Sequence, residues 1–506
     1  MLLRHRSVAI ALPLLIITSL ILLLKSSPHS RKLPAQLAES LKLKTPLTCP
    51  NKLDWLLDLD LTFPVTYARR DIIVNQKPEV QRASLTNVHE TLFPPSQLID
   101  LTNDADNVHL KHCEEPLRLD VPLFPSHVGK AAHVMFGIST TLDRLEASIP
   151  QLLRWLPNTD GRLFVITIEA EQEEGKGLPA IAADPGKKAA LQGQMRKLGM
   201  DVTLVEPLEL QDSFSEKYFS LVKIMYDHRN DKTKWISTID DDTFFPTIPG
   251  LVSMLSKYDT KQCHYVGGVS EEWWAVVHYG IMGFGGAGVF LSLPLAGIIA
   301  GEYEYCKGAT TATAGDIRIM ECVYELTDIK LENERELHQI DMHGDLSGLF
   351  ESGRTLLSVH HWKPGAATVD GYDLPMMHQV YDVCQDCFLQ RWKFNDDLVL
   401  ANGYSISHYA KDVLAEEMMV RMEQTWADIK TVEASNNRGA DHSLGPTRPK
   451  LNLTEEKFQY VLIHSAAVDG GVRQLYLHER GIGDPDGVLE LLWRQGSGEK
   501  TQPLGT

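Results

Sequence analysis

Two glycine signatures are missing where they would matter. Strand and helix signals alternate between residues 132 and 239, yet that stretch has no G-x-G-x-x-G, and the whole chain has no G-x-x-x-x-G-K-[ST]. A dinucleotide fingerprint and a P-loop are therefore both excluded. Basic residues are also short: 49 Lys and Arg face 67 Asp and Glu, for a formal charge of −18. With no local basic patch to offset that charge, a phosphate backbone is repelled and nucleic acid is not an expected partner. Cysteine is sparse, at seven residues, and the single C-x-x-C, Cys384 to Cys387, has no second pair at zinc-ribbon spacing. A structural bridge is expected there rather than zinc, within a set of at most three disulfides and one leftover thiol.

Apolar residues are not short. They make up 43% of 506 residues, enough to bury more than one core and, by length, to build two to four domains. Ser7 to Leu24 is an uncharged apolar run about long enough to cross a bilayer, flanked by Arg4, Arg6 and Lys25. The run is long for a signal-peptide core and no A-x-A site follows, so a signal anchor is expected, with residues 1–6 as a cytosolic tail and the bulk in the lumen. A single N-glycosylation sequon, Asn452-Leu453-Thr454, agrees with secretory routing. Residues 25–60 read as a stem, and 61–128, broken repeatedly by Pro, as an irregular lead-in.

From residue 129 the pattern sharpens into an α/β domain that runs to 395. Ala132 to Ile138 is a buried first strand, and Ser139, Thr140 and Thr141 offer a cap to a helix over Leu142–Trp155. Strands over 163–168 and 202–205 alternate with helices over 187–198 and 214–226, which indicates a mostly parallel, Rossmann-like sheet. The next strand, Trp235 to Ile239, delivers Asp240-Asp241-Asp242. Adjacent carboxylates repel, and a hard divalent cation such as Mg²⁺ or Mn²⁺ relieves that repulsion and collects phosphates, so a nucleotide-sugar site is the sharp reading and a solvated loop the plain one. Glu271-Glu272-Trp273-Trp274 offers either sugar-stacking or simply buried aromatics. The glycines of Gly283 to Gly288 let backbone approach a ligand or a neighbouring strand. Asp316 opens a helix as its cap or as a base toward an acceptor hydroxyl. Leu356 to Trp362 reads as a strand ending in His360-His361, one of which suits a metal. Residues 396–506 form a β-rich C-terminal region with a hairpin at Gly470-Gly471.

D-D-D at 240–242, G-G-A-G at 285–288, G-D-I-R-I-M-E-C at 315–322, H-Q-I-D-M-H-G-D-L-S-G at 338–348 and V-H-H at 359–361 occur in one order. That order resembles the Fringe-like β-1,3-glycosyltransferases of family 31, in the Fringe-related branch of fungi and plants, over roughly residues 130 to 400. The resemblance implies a GT-A fold and an inverting transfer from a UDP-sugar to a glycan or glycoprotein hydroxyl with Mn²⁺, in a Golgi type II membrane protein anchored by its N-terminal helix. It places Asp242 on the metal with His360 or His361, Asp240 and Asp241 on the nucleotide or ribose, and the base on Asp316. Ile317 stands where relatives often carry a second acid. Gly137, Thr140 and Thr141 would belong to the nucleotide-facing loop, with Gly286 beside it and Arg144 as a phosphate or uracil contact. Two other readings compete: a secretory carbohydrate-binding protein without turnover, and a metal-dependent hydrolase, for which the scattered ligands of a two-metal site are missing.

Overall fold

The computed structural model describes residues 52–102, 108–123, 130–168, 182–363, 371–427, 441–481 and 483–496. All of them fall in one compact unit, which spans Pro50–Thr506. The expected tail, the anchor at 7–24 and residues 25–51 of the stem lie outside the described residues. Among those described, no helix is long and apolar enough to cross a membrane.

Seven strands make the sheet that carries the acidic triplet. They are β1 (Val134–Thr141), β2 (Arg162–Ile168), β3 (Asp201–Val205), β4 (Trp235–Thr238), β5 (Tyr265–Gly267), β6 (Val289–Ser292) and β7 (Leu331–Asn333), in the spatial order β7-β5-β6-β4-β1-β2-β3. Only β6 runs antiparallel to its neighbours, so the sheet is mostly parallel, as the alternation of strand and helix signals implies. β1 is buried along almost its whole length because both sheet faces are covered. Its side chains alternate between two cores: Val134, Phe136 and Ile138 join one, and Met135 joins the other with Phe164, Ile166 and Ile236.

Helices fall near where the spacing places them, except that the one expected over Leu142–Trp155 ends at Ala147 and is followed by a separate single turn, Ile149–Leu152. α1 (Leu142–Ala147) is capped by Thr141, whose hydroxyl accepts the Arg144 N–H at 3.2 Å. α2 (Pro185–Lys197) precedes β3, and α3 (Phe214–Asp227) begins with a reciprocal capping box between Ser213 and Glu216. α4 is Ile248–Leu255, α5 is Trp273–Tyr279 and α6 is Gly315–Leu326. A disulfide between Cys306 and Cys322 pins α6 to the preceding helix, Cys384 and Cys387 bridge each other as expected, Cys113 is also bridged, and Cys263 is free.

The lead-in and the C-terminal region are not separate pieces. Residues 61–128, expected to be irregular, contain the 13-residue strand Val65–Lys77, which lies in a 10-stranded sheet beside Gly487–Gln495. Charges in its middle hid it. Arg69 pairs with Asp71 and with the fully buried Glu490 of the neighbouring strand, which makes the charges tolerable there. The domain break placed at 395/396 falls in the turn of a hairpin, since Arg391–Lys393 and Leu398–Ala401 are antiparallel partners in this same sheet. The turn residues Asn395 to Asp397, with Asp397 at φ 57°, carry a punctuation signal that a tight turn and a domain boundary share. The predicted hairpin at Gly470-Gly471 joins Lys457–Val468 to Gly471–His478. Asn452 of the sequon is exposed.

A buried charge cluster ties this sheet to the loops below it. Lys457 is 1% exposed, with Nζ 2.6 Å from Glu351 and 3.1 Å from Glu423. Burial alone would lower this lysine, but Glu351, Tyr409 and Glu423 hold it above its ordinary range. Replacing Lys457 with Met leaves the buried Glu351 without its counter-charge, while Glu423 keeps Arg448 at 2.8 Å. We expect a loss of about 3–5 kcal/mol in unfolding free energy, read from the urea midpoint at constant slope.

Candidate active site

The acidic triplet leaves the carboxyl end of a central strand, where open α/β sheets hold their ligands. Ile239 extends β4 by donating its N–H to the Gly137 carbonyl at 2.9 Å. The chain then doubles back, and Phe244 and Val359 exchange backbone hydrogen bonds of 2.9 and 2.8 Å. That bridge sets His360 directly over the acids.

Each carboxylate of the triplet receives a different partner. Asp241 is 5% exposed and takes a bidentate grip from Arg144, with Nε and Nη2 both at 2.6 Å, and a further hydrogen bond from the Thr140 hydroxyl. Asp242 lies 2.9 Å from His360 Nε2, and its carbonyl accepts the Trp362 indole N–H at 2.7 Å. Asp240 is the most open, 3.2 Å from the same His360 nitrogen. Burial would raise the Asp242 carboxyl, but the hydrogen bond and charge of His360, with His361 and Lys363, hold it well below the usual range. Burial would likewise lower His360, and its hydrogen bonds to Asp240 and Asp242 drive it well above.

Both histidines reach the site, which a continuous strand would forbid. Successive side chains of a strand point to opposite faces. Only Ser358–Val359 is strand; His361 then adopts φ 48°, and the two imidazoles meet with centroids 3.8 Å apart. Burial and the neighbouring His360 push His361 down to about 4, so its imidazole is neutral at physiological pH.

Ligand atoms of Asp242, His360 and His361 all lie within 4.8 Å of one another, close enough to share one cation. The surroundings fit such an ion. His360 Nδ1 faces the Gln339 carbonyl at 3.1 Å, which fixes a proton there and leaves Nε2 as the coordinating nitrogen. Two imidazoles and a carboxylate suit a first-row divalent metal, Mn²⁺ among them, with open positions for oxygen ligands. Because His360 holds a proton against Asp240 and Asp242, binding a cation there would release it, and metal affinity should fall as pH drops.

The cleft around these groups has a volume of about 250 Å³ and is lined by Ser139, Thr140, Thr141 and Arg144 on one side and by the triplet, Gln339, His360 and His361 on the other. Ser139 Oγ is buried and without a hydrogen-bond partner, a free donor for a polar ligand. Ile168 and Phe214 supply the apolar wall, Phe214 with 49% of its surface exposed.

The family described as "Protein of unknown function, DUF604" matches residues 275–442. That span holds Gly286, Asp316, His360 and His361, and stops short of the acidic triplet. No curated protein matches. Among solved structures, a mannosyltransferase of Pyrobaculum calidifontis in complex with GDP-Man and Mn²⁺ aligns at 12% identity over 41% of this chain and 55% of that one, with a TM-score of 0.27. Glycosyltransferase GlyE of Streptococcus pneumoniae aligns at 14% over 40% and 45%, with a TM-score of 0.26. Mouse xyloside xylosyltransferase 1 aligns at 11% over 48% and 98%, with a TM-score of 0.28. This chain thus spans about half the length of the first two. At such scores these likenesses carry no inference about its chemistry.

Several expected site residues play other parts. Gly137 does not face the cleft: it sits within β1, and a Cβ there would collide with Met225 of α3. Gly286 is likewise a packing residue, because any side chain would overlap the His360 ring that lies on it. Arg144 lines the cleft, but its guanidinium is engaged with Asp241. Asp316 is the second residue of α6, not its cap, which is Ala314. Its carboxylate accepts N–H groups from Gly285 at 2.9 Å and Ile317 at 2.8 Å, which places it at the edge of the site, beyond Gly285, rather than in the cleft lining. Burial pushes Asp316 up to about 6, with Asp240 adding to the rise and the two N–H donors opposing it. Trp273 and Trp274 are outside the cleft, Trp273 against His442 and the exposed Trp274 stacked on His278.

Gln339 and Phe214 were not singled out from sequence. Phe214 carried a signal: a large aromatic on the first turn of a helix, straight after its Ser213 cap, has little to pack against there. Replacing Gly286 with Ala should displace His360 and weaken Mn²⁺ binding at least tenfold, measured by calorimetry, while the circular dichroism spectrum stays that of the parent.

Proposed function

We propose that this chain is a glycosyltransferase that moves a sugar from a UDP-sugar to a hydroxyl of a glycan or glycoprotein, with inversion and a β-1,3 linkage, in the manner of the Fringe-like enzymes its motifs resemble. The observation that supports this most is the meeting of Asp242, His360 and His361 in one polar cleft at the carboxyl end of a mostly parallel sheet. In the same reading it is a Golgi type II membrane protein held by residues 7–24.

Asp242, His360 and His361 would hold Mn²⁺, which when bound offsets the charge of the departing diphosphate. The chain's own groups do the rest. Ser139 and Thr141 offer hydroxyls to the nucleotide, and Phe214 and Ile168 give its base a flat apolar wall. The Arg144–Asp241 pair braces the triplet against α1 instead of gripping phosphate or ribose. Asp316 receives the acceptor proton: with a pKa near 6 it is ionised at neutral pH and more basic than an ordinary carboxylate. A single displacement needs no covalent enzyme intermediate, so no serine or cysteine nucleophile is required.

A panel of UDP-sugars with Mn²⁺ and glycan acceptors tests this directly, scored for transferred and for freed sugar. Transfer is expected; saturable binding with no product would mark a carbohydrate-binding protein instead. Asp242→Ala should abolish turnover, and Asp316→Asn should lower kcat about 10²–10⁴-fold with the fold intact. Either variant working at near wild-type rate removes that residue from its role.

The pH profile gives a separate check. Below about 6 the Asp316 carboxyl is protonated and cannot accept a proton, so kcat/KM should climb as pH rises through that value. With Mn²⁺ kept saturating, so that its own loss at low pH does not enter, Asp316→Asn should lose that limb.

A further inference from the structure

One buried carboxylate outside the cleft has an unusual set of partners. Glu271 is 1% exposed. Its Oε2 accepts the Ile340 N–H at 2.8 Å and the Asp341 N–H at 3.4 Å, and its Oε1 lies 3.1 Å from Nδ1 of His338, also 1% exposed. Ile340 is fully buried and has φ 60°. A β-branched residue in the left-handed region costs on the order of 1–3 kcal/mol, and persists only where its surroundings hold it. Glu271 is what holds it.

The flanks of that strained residue each reach one metal-site histidine. The Gln339 carbonyl faces His360 Nδ1 at 3.1 Å, and Asp341 Oδ1 lies 3.7 Å from His361 Nε2. Ser270, next to Glu271 in sequence, donates its hydroxyl to the other Asp341 oxygen. The same turn therefore sets a carbonyl against His360 Nδ1 and brings the Asp341 carboxylate up beside the His361 ring.

We infer that Glu271 is a positioning residue of the cation site: by clamping the Gln339–Asp341 turn in its strained form it orients His360 and His361 together. A carboxamide in its place offers the Ile340 and Asp341 N–H groups only a neutral acceptor, and such hydrogen bonds are about half as strong as those to an ionised one. Ile340 can then relax, and both histidine partners shift. This inference rests on the proposed cation site and goes beyond it by naming what holds its ligands.

The experiment compares Mn²⁺ affinity, by calorimetry and by the electron paramagnetic resonance signal of free Mn²⁺, in the full chain and in Glu271→Gln. A folded Glu271→Gln variant should bind Mn²⁺ at least tenfold more weakly, in the range of about 10–100-fold seen when groups behind a metal ligand are lost. Glu332→Gln breaks another acid–histidine pair, on β7, with His264 at 3.0 Å, and should stay within twofold of wild type. Should Glu271→Gln fail to fold, Asp341→Asn, at a partly exposed side chain, takes its place with a loss of threefold or more expected. Wild-type affinity in the folded Glu271→Gln, or in Asp341→Asn where that is the variant measured, overturns the inference and leaves the cation site standing. A wild-type chain that binds no Mn²⁺ overturns both.

Discussion

Three neighbouring negative charges cannot share one exposed loop cheaply, and much of this structure follows from how their repulsion is resolved. The fold separates them by partner. Asp241 turns inward to the guanidinium of Arg144, Asp242 turns toward His360, and Asp240 stays at the mouth. None of these partners is close to the triplet in sequence. The backbone bridge between Phe244 and Val359 is what makes the Asp242–His360 contact possible, so the site exists only when the last segment of the domain has come home.

Small residues make that closure feasible. Gly286 leaves room for the His360 ring, and Gly285 leaves room for the Tyr218 hydroxyl beside Asp240 while giving its N–H to Asp316. Residues that look like a ligand-facing loop are therefore a socket for protein side chains. The Cys306–Cys322 bridge fixes α6, and with it the position of Asp316 on the far side of Gly285. The candidate metal ligands and the raised carboxyl thus come from separate elements that meet at Gly285 and Gly286. Separation keeps their protonation distinct: His360 is held charged by two carboxylates, whereas burial keeps Asp316 near 6.

Residue types and local order were readable wherever the physics is local. The alternation of β1, β2, β3 and β4 with helices, the Thr141 cap and the hairpin at Gly470-Gly471 all rest on patterns a few residues long. The strand Val65–Lys77 was not readable, since Arg69 and Asp71 are acceptable in a strand only because Glu490 and Arg494 lie across from them. A hairpin turn near Asp397 looked like a domain boundary for the same reason: the sheet that spans it is assembled from both ends of the chain.

By itself the sequence determined that acids, histidines and one helix-borne aspartate occur in this chain in a particular order, on particular kinds of element. It could not say that both His360 and His361 reach the cleft beside Asp242, because that depends on φ 48° at His361, a strained angle no composition demands. Nor could it assign Arg144 to Asp241, Gly286 to the His360 ring or Glu271 to the Ile340 turn. Those choices are made by long-range packing, where a side chain's role is set by whichever group the closed fold places against it.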